Sequence, residues 1–327
     1  MTSCQQVRRI VICVCLLALY WPAVESWAET SFPNYYEMNN RANRLKPSEI
    51  ANLTGRADAG DVSSQILLGL AYQNGHGVEE NHTTAFNWYL KAAEQGNAMG
   101  ENLLGLAYYL GLGVTRDEGQ AIEWFRRSAQ QKDYTAQRNL AVSLKNGVSL
   151  SKKPELAKDE VQKEAEAGEV AAQIALGLAF GGEHNGLGIR EDSVKAAMWL
   201  EKGSEAGSPI AQTNLAALYF AGRGAQKNED RGLQLLLMAA ETRYAEAFYF
   251  LGALYEHGRG VKKDKQTADM YYVLAEDSGK EVFELSHGNI FTGGIAIFRD
   301  HRISLADAKE ARRLADKWEV EHDHNSK

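Results

Sequence analysis

Apolar and small residues recur along this chain with a period close to 36 residues, separated by polar positions. Leucine, a small residue and an aromatic residue stand eight, nine and twelve residues after a marker position in most periods. The markers are Gly60, Gly96, Lys132, Gly168, Gly207, Arg243 and Gly279, at steps of 36, 36, 36, 39, 36 and 36 residues. Self-similarity at this period predicts an array of stacked repeats. We number the repeats one to six and count positions from each marker.

The spacing within a repeat predicts two helices. In the second repeat Leu104, Gly105 and Tyr108 are three or four residues apart, which places them on one face of a helix over Ala98–Leu110. An exposed helical glycine costs about 1 kcal/mol relative to alanine. Its recurrence beside leucine therefore predicts a close approach of two helices. The turn Gly111–Gly113 ends the helix, because glycine suits left-handed C-cap conformations.

The second helix of each repeat carries alanine at position 25 and a large residue at position 28. The large residues include Trp88, Trp124 and Trp199, and large-into-small packing between helices accounts for both columns. We therefore interpret these tryptophans as core residues rather than as a ligand platform. The Gly-x-Gly turns follow helices and lack the third glycine of a phosphate-binding loop, so we interpret them as structural.

Two stretches carry a resemblance to a known family: QILLGLAYQNGHGV from Gln65 to Val78, and TAFNWYLKAAEQG from Thr84 to Gly96. They resemble the Sel-one-like repeats, which are related to the tetratricopeptide repeats, and the resemblance extends over about Leu45 to Lys280. It implies an all-α fold, a right-handed superhelical solenoid of αα-hairpin repeats with about six units and terminal caps. It also implies a concave face that binds proteins or peptides.

The third and fourth repeats depart from the pattern. The third has Ser149 in place of the second turn glycine and Glu160 where a tryptophan is expected, and the fourth has an insertion around Glu183–Asn185. These departures fit either sequence drift or a site where a partner binds.

The N-terminus has the pattern of a secretory signal peptide: Arg8 and Arg9, an apolar run from Ile10, and small residues flanking Trp27. Cleavage after Ala28 is predicted; an uncleaved membrane anchor is the alternative, for which the run is short. The predicted boundaries are 1–28 signal peptide, 29–44 flexible lead, 45–282 repeat array, and 283–327 degenerate repeat with a C-terminal capping helix. All three cysteines lie within the signal segment.

Candidate chemistry is sparse. The formal net charge of −7 argues against nonspecific nucleic-acid binding. Ser149-x-x-Lys152 matches one motif of penicillin-recognising enzymes, but its companion motifs are absent. His322 and His324 lie in a predicted solvated tail with nothing to fix a metal geometry. We therefore expect no enzyme activity, no cofactor and no metal site.

The variable positions of the first helices are the candidate binding residues. Positions 6 and 13 are predicted to line the concave groove, where aromatic rings and forked donors favour protein recognition. The predicted partner-binding residues are Asn102, Tyr109, Arg138, Lys145, Phe220, Tyr249 and Glu256. Free drift of an exposed surface predicts the same variability.

The predicted function is an exported protein–protein interaction scaffold, periplasmic or secreted, that binds a protein or peptide as a monomer without inserting into the membrane. The favoured form is an adaptor in a bacterial envelope. The alternative is a secreted factor that binds a host protein, and a more remote one is a penicillin-binding enzyme.

Overall fold

The computed structural model describes residues 33–148, 156–182, 185–278 and 305–322, and the predicted all-α class of αα-hairpin repeats is confirmed. The helices in these residues are α1 (Pro33–Ala42), α2 (Pro47–Asp58), α3 (Val62–Asn74), α4 (His82–Glu94), α5 (Ala98–Leu110), α6 (Glu118–Gln130), α7 (Tyr134–Lys145), α8 (Ala157–Glu166), α9 (Val170–Gly181), α10 (Ser193–Glu205), α11 (Pro209–Ala221), α12 (Glu229–Glu241), α13 (Ala245–His257), α14 (Lys265–Asp277) and α15 (Leu305–His322).

The helices fall into two compact units. Residues 32–191 hold the first three repeats and the first helix of the fourth, preceded by α1 and α2. Residues from 192 onward hold the second helix of the fourth repeat, the fifth and sixth repeats, and α15.

The marker residues that define the period end the second helices in left-handed backbone conformation. The four glycine markers from Gly60 to Gly207 have φ between 73° and 98°. Lys132 (φ 64°) and Arg243 (φ 58°) adopt the same conformation and are the non-glycine residues with positive φ in the described part of the chain. The period is therefore fixed by a backbone requirement, because the chain must turn sharply between one hairpin and the next.

The close helix approach predicted from the glycine at position 9 is present. A Cβ on Gly105 of α5 would lie 2.7 Å from the Phe125 ring of α6. The tryptophans of the second helices are covered by a cation three residues later: Lys91 Nζ lies 3.9 Å from the Trp88 ring centroid. These columns are structural, as the sequence predicts.

The N-terminal part differs from its prediction. Helix α1 occupies Pro33–Ala42, where an unstructured lead was predicted, and Met38 and Ala42 are buried. The Asn74 side chain donates hydrogen bonds to the carboxamide oxygens of Asn39 and Asn43, at 3.0 Å each. Helices α1 and α2 thus both pack against α3 of the first repeat, whereas the sequence suggested only the second of these helices.

The C-terminal helix α15 packs against the sixth repeat. Trp318 packs edge-on against Phe248, with ring centroids 5.1 Å apart. Ion pairs join Arg243 to Glu319 and Arg312 to Asp277. The predicted degenerate first helix, within 283–304, and the predicted signal peptide lie outside the described residues.

Candidate functional site

The structure corrects the predicted exposure of most groove residues. Four of the seven side chains are only 2–6% exposed: Asn102, Tyr109, Phe220 and Tyr249. The other three are half-exposed: Arg138, Lys145 and Glu256. Positions 6 and 13 therefore face neighbouring helices in most repeats. In the second repeat Leu106 and Leu110, at positions 10 and 14, reach the surface instead.

Phe220 is buried because it packs onto a glycine of the following helix. A Cβ on Gly232 of α12 would lie 2.7 Å from the Phe220 ring. In the sixth repeat the arrangement is reversed: Gly252 of the first helix faces Tyr272 of the second. The fifth repeat thus packs a ring of its first helix onto a glycine of its second, which makes Phe220 a core residue.

Tyr249 and Glu256 meet around Tyr272. The Tyr272 hydroxyl donates a 2.8 Å hydrogen bond to Glu256 Oε2, and the Tyr249 and Tyr272 rings are 5.4 Å apart. Burial, and then the Glu256 carboxylate, raise the pKa of Tyr249 to about 12. This cluster is satisfied within the protein, so these two residues stabilise the sixth repeat.

The remaining four predicted residues belong to α5 and α7, the first helices of the second and third repeats. Asn102 Oδ1 accepts a 2.9 Å hydrogen bond from Asn139 Nδ2, which joins the two helices. The pKa of Tyr109 is raised by burial, and its hydroxyl is close to the Asn146 carboxamide. Burial also lowers the pKa of the half-exposed Lys145.

Helix α7 buries two polar side chains at positions that hold apolar residues in α5 and α9. Asn139 and Ser143 are fully buried, and they are four residues apart on one face of the helix. Asn139 Oδ1 and Ser143 Oγ have no hydrogen-bond partner among the described residues. The same two positions hold Leu103 and Ala107 in the second repeat. A buried polar atom without a partner costs about 1–3 kcal/mol, so the third repeat departs from its neighbours at an energetic cost.

A buried carboxyl group starts the same helix. Asp133 caps α7 by accepting a hydrogen bond from the Ala136 amide at 2.9 Å, and the Ser128 hydroxyl donates to it at 2.9 Å. Burial raises the pKa of Asp133 to about 6 in spite of these hydrogen bonds, and the nearby Glu101 adds to the shift. The N-cap Asp61 of α3 is the opposite case, because hydrogen bonds from Ser64 lower its pKa.

An open cleft of about 370 Å³ lies beside the third repeat, lined by Arg126, Glu164, Ala167, Gly168 and Glu169. Arg126 Nη2 donates to both carboxylate oxygens of Glu164, at 3.0 Å each. The cleft is thus bordered by charged groups that already pair with each other.

The described part of the third repeat offers groups suited to binding. It presents hydrogen-bonding groups and two half-exposed cations, Arg138 and Lys145. The part of the chain that the structure describes contains no group of three side chains able to hold a metal ion. Ser149 and Lys152 of the penicillin-type motif lie outside it, as does His324, while the His322 ring stacks on Trp318 at 4.1 Å.

A family model for the Sel1 repeat matches residues 62–97, 98–133, 170–208, 209–241 and 245–280, more than half of the chain. The chain belongs to the Sel1 repeat family. Sel1 repeat proteins are protein-interaction scaffolds, and the matching family is not a catalytic one. The five matched Sel1 repeats leave residues 134–169 between them, and this interval holds α7 and α8.

Two curated proteins are similar to part of this Sel1 repeat protein. The ERAD-associated E3 ubiquitin-protein ligase component HRD3B of Arabidopsis thaliana is 34% identical over 110 residues, covering 33% of this chain and 17% of that protein. Chitin synthase regulatory factor 3 of Schizosaccharomyces pombe is 29% identical over 128 residues, covering 38% and 14%. The chain thus spans about a sixth of the length of these relatives.

Among solved structures, a Sel1 repeat protein from Oxalobacter formigenes is 29% identical, with a TM-score of 0.41. The match covers 66% of this chain and 85% of that protein's chain. In the described residues no helix is both long and apolar enough to cross a membrane.

Sequence reasoning missed Asn139 and Ser143 as candidate site residues. A signal was present, because positions 7 and 11 of the first two repeats are apolar and these two residues are not. A comparison of the core positions between repeats, in addition to the variable positions, would have identified these two residues.

Proposed function

We propose that this Sel1 repeat protein is an exported adaptor that binds a partner protein or peptide through its third repeat. The observation that carries the proposal is the polar core of α7, where Asn139 and Ser143 replace apolar residues at a cost in stability. Natural proteins accept such costs at functional sites. Arg138 and Lys145 add half-exposed cations on the same helix.

The family supports the general form of this role. One curated relative is by name a component of a ubiquitin ligase and the other a regulatory factor. Both names describe proteins that act with others, which agrees with an adaptor. The N-terminal apolar segment supports export, and the bacterial envelope is the proposed location.

The first test is capture of partners by the full chain from the cells that produce it. Arg138→Glu with Lys145→Glu should reduce capture at least tenfold, because both side chains are half-exposed on α7. The matched control is Lys91→Glu with Arg127→Glu, which makes the same change in charge on two second helices. Equal loss with both pairs, or no loss with the first, would refute the third repeat as the site.

Fractionation of the same cells tests export. Recovery of a shortened chain beginning at Glu29 from the periplasm supports the envelope adaptor. Recovery from the medium supports the secreted alternative. A full-length chain retained inside the cell contradicts both.

A further inference from the structure

Exposed apolar side chains are concentrated on two helices of the unit that begins at residue 192. The large apolar residues with the highest exposure in the described residues are Leu110, Leu156, Val194, Met198, Leu237 and Met238. The last four belong to α10 and α12, the second helices of the fourth and fifth repeats. Val194 is 67% exposed.

The two methionine positions are polar in the first two repeats. Met198 corresponds to Asn87 and Glu123, after allowing for the three-residue insertion in the fourth repeat. Met238 corresponds to Lys91 and Arg127, the residues that cover the tryptophans of α4 and α6. The repeat fold therefore does not require the exposed Met198 and Met238 of α10 and α12. An exposed apolar patch that is surrounded by polar groups marks an interaction site on a soluble protein.

The rim is formed by two basic turns. The turns 222–228 and 258–264 carry five cations, Arg223, Lys227, Arg259, Lys262 and Lys263, against one acidic residue, Asp264. The corresponding turn of the first repeat, 75–81, carries two glutamates and no lysine or arginine. A concentration of positive charge on a chain of net charge −7 favours an acidic partner through charge complementarity.

The turns lie at the N-terminal ends of the two helices. A Cβ on Gly224 would overlap the Ser193 carbonyl group at the start of α10, next to Val194. A Cβ on Gly260 would lie 3.1 Å from Glu229 Cβ at the start of α12. Lys227 Nζ pairs with Glu229 at 2.7 Å, and Arg259 helps to lower the pKa of the same carboxyl. One basic turn therefore lies next to Val194 on α10, and the other lies at the start of α12, roughly two helical turns before Leu237.

We propose that the outer faces of α10 and α12 bind an acidic amphipathic segment of a partner protein. Its apolar side would cover the exposed methionines, Val194 and Leu237, and its carboxylates would meet the two basic turns, as in interfaces with an apolar core and a charged rim. An anionic bilayer fits less well, because it would also meet the carboxylates of Glu201 and Glu205 on α10 and of Glu241 on α12. This surface is separate from the third repeat.

The test uses a fluorescein-labelled 18-residue helical peptide with leucines on one side and glutamates on the other. Its control peptide has lysine in place of every glutamate. We expect the full chain to bind the acidic peptide at least tenfold more tightly, measured by anisotropy at low salt. Met198→Glu with Met238→Glu should weaken binding at least tenfold. The matched control, Asn87→Glu with Lys91→Glu at the same repeat positions, should stay within twofold.

A second variant separates the rim from the apolar face. Lys262→Glu with Lys263→Glu should weaken binding of the acidic peptide at low salt, and the difference should shrink in 0.5 M NaCl, since exposed charges are screened. All substituted side chains are exposed, and circular dichroism checks the fold.

The proposal is overturned if the peptides bind equally, if neither binds, or if the methionine variant binds as the native chain does. It is also overturned if vesicles of phosphatidylglycerol and phosphatidylcholine bind the chain while the acidic peptide does not. The proposed adaptor role of the third repeat is not affected by these results, because its own variants leave α10 and α12 unchanged.

Discussion

The first helices of the second and third repeats have the same kind of N-cap but bury side chains of different polarity. Asn97 and Asp133 cap α5 and α7 by accepting from the amide three residues on. Helix α5 then buries leucine and alanine at the two positions where α7 buries Asn139 and Ser143. The helical framework of a repeat thus tolerates a change of core, because each repeat draws stability from its neighbours.

The second helices of these two repeats, α6 and α8, also differ in polarity at one position. Trp124 of α6 is covered by Arg127, whose guanidinium carbon lies 4.5 Å from the ring centroid. The corresponding residue of α8 is Glu160, which is half-exposed. The third repeat therefore lacks the tryptophan of the second helix and two apolar core residues of the first helix. The family model does not match this repeat. This difference predicts that the two repeats respond differently to matched changes.

The largest expected effect concerns pH. The pKa of Asp133 is raised by burial from 3.8 to about 6, so its contribution to stability is fully present below pH 3.8 and is lost as the pH rises through about 6. Asp133→Asn keeps a capping oxygen and removes this dependence. Between pH 3 and pH 8 the variant should gain about 3 kcal/mol relative to the native chain, as measured by urea unfolding.

The control for this prediction is Asp61→Asn in the first repeat. The pKa of Asp61 is lowered by its hydrogen bonds with Ser64, so the native carboxylate stabilises the fold above pH 3.8 and loses this effect in acid. The variant should lose stability relative to the native chain as the pH rises. The same sign for both variants would contradict the contrast between the two caps.

A smaller effect is expected from filling the close contact of the second repeat. Gly105→Ala places a methyl group 2.7 Å from the Phe125 ring and should lower the free energy of unfolding by about 2 kcal/mol. Gly55→Ala in α2 meets no atom within 4 Å and should raise it by up to about 1 kcal/mol through helix propensity. Thermal unfolding of the two variants measures this difference. Equal effects would contradict the close approach of α5 and α6.

Exchanging one core position between the repeats tests the polar core directly. Ser143→Ala removes a buried hydroxyl without a partner among the described residues and should stabilise the chain by about 1 kcal/mol. Ala107→Ser introduces such a hydroxyl in the second repeat and should destabilise it by about 1 kcal/mol. If the proposed function is correct, Ser143→Ala also weakens partner capture. Destabilisation by Ser143→Ala would show that the hydroxyl has a structural role.

The smallest effect concerns the marker between these repeats. Lys132 is exposed and has φ 64°, a conformation that costs a non-glycine residue about 1 kcal/mol. Lys132→Gly should therefore raise the free energy of unfolding by about 0.5–1 kcal/mol, because the larger conformational entropy that glycine loses on folding offsets part of the relieved strain. Gly96→Ala, at the preceding marker with φ 73°, should lower it by about 1 kcal/mol. Chemical denaturation of both variants provides the comparison.

Much of the fold could be predicted from the sequence. The period located the helix pairs, and the recurring Gly105 column predicted a close contact that the structure contains. The C-terminal helix followed from the apolar face that includes Trp318. Helix α1 was missed because it is short and rich in asparagine, and its stability comes from packing of Met38 and Ala42 against the first repeat.

The candidate site could be predicted only in part. Four of the seven predicted groove residues are buried, and the role of all seven in binding stays a prediction. The signal peptide, the partner and the export of the chain remain predictions.

The sequence by itself determined the repeat, the helices within it and the residues that must turn the chain, because these depend on local spacing and on backbone preferences. Only the tertiary structure decided which faces are covered. Phe220 occupies a variable position and is nevertheless core, since Gly232 on another helix leaves room for its ring. Periodicity gives the direction of a side chain from its own helix, whereas exposure depends on what the neighbouring helices place there.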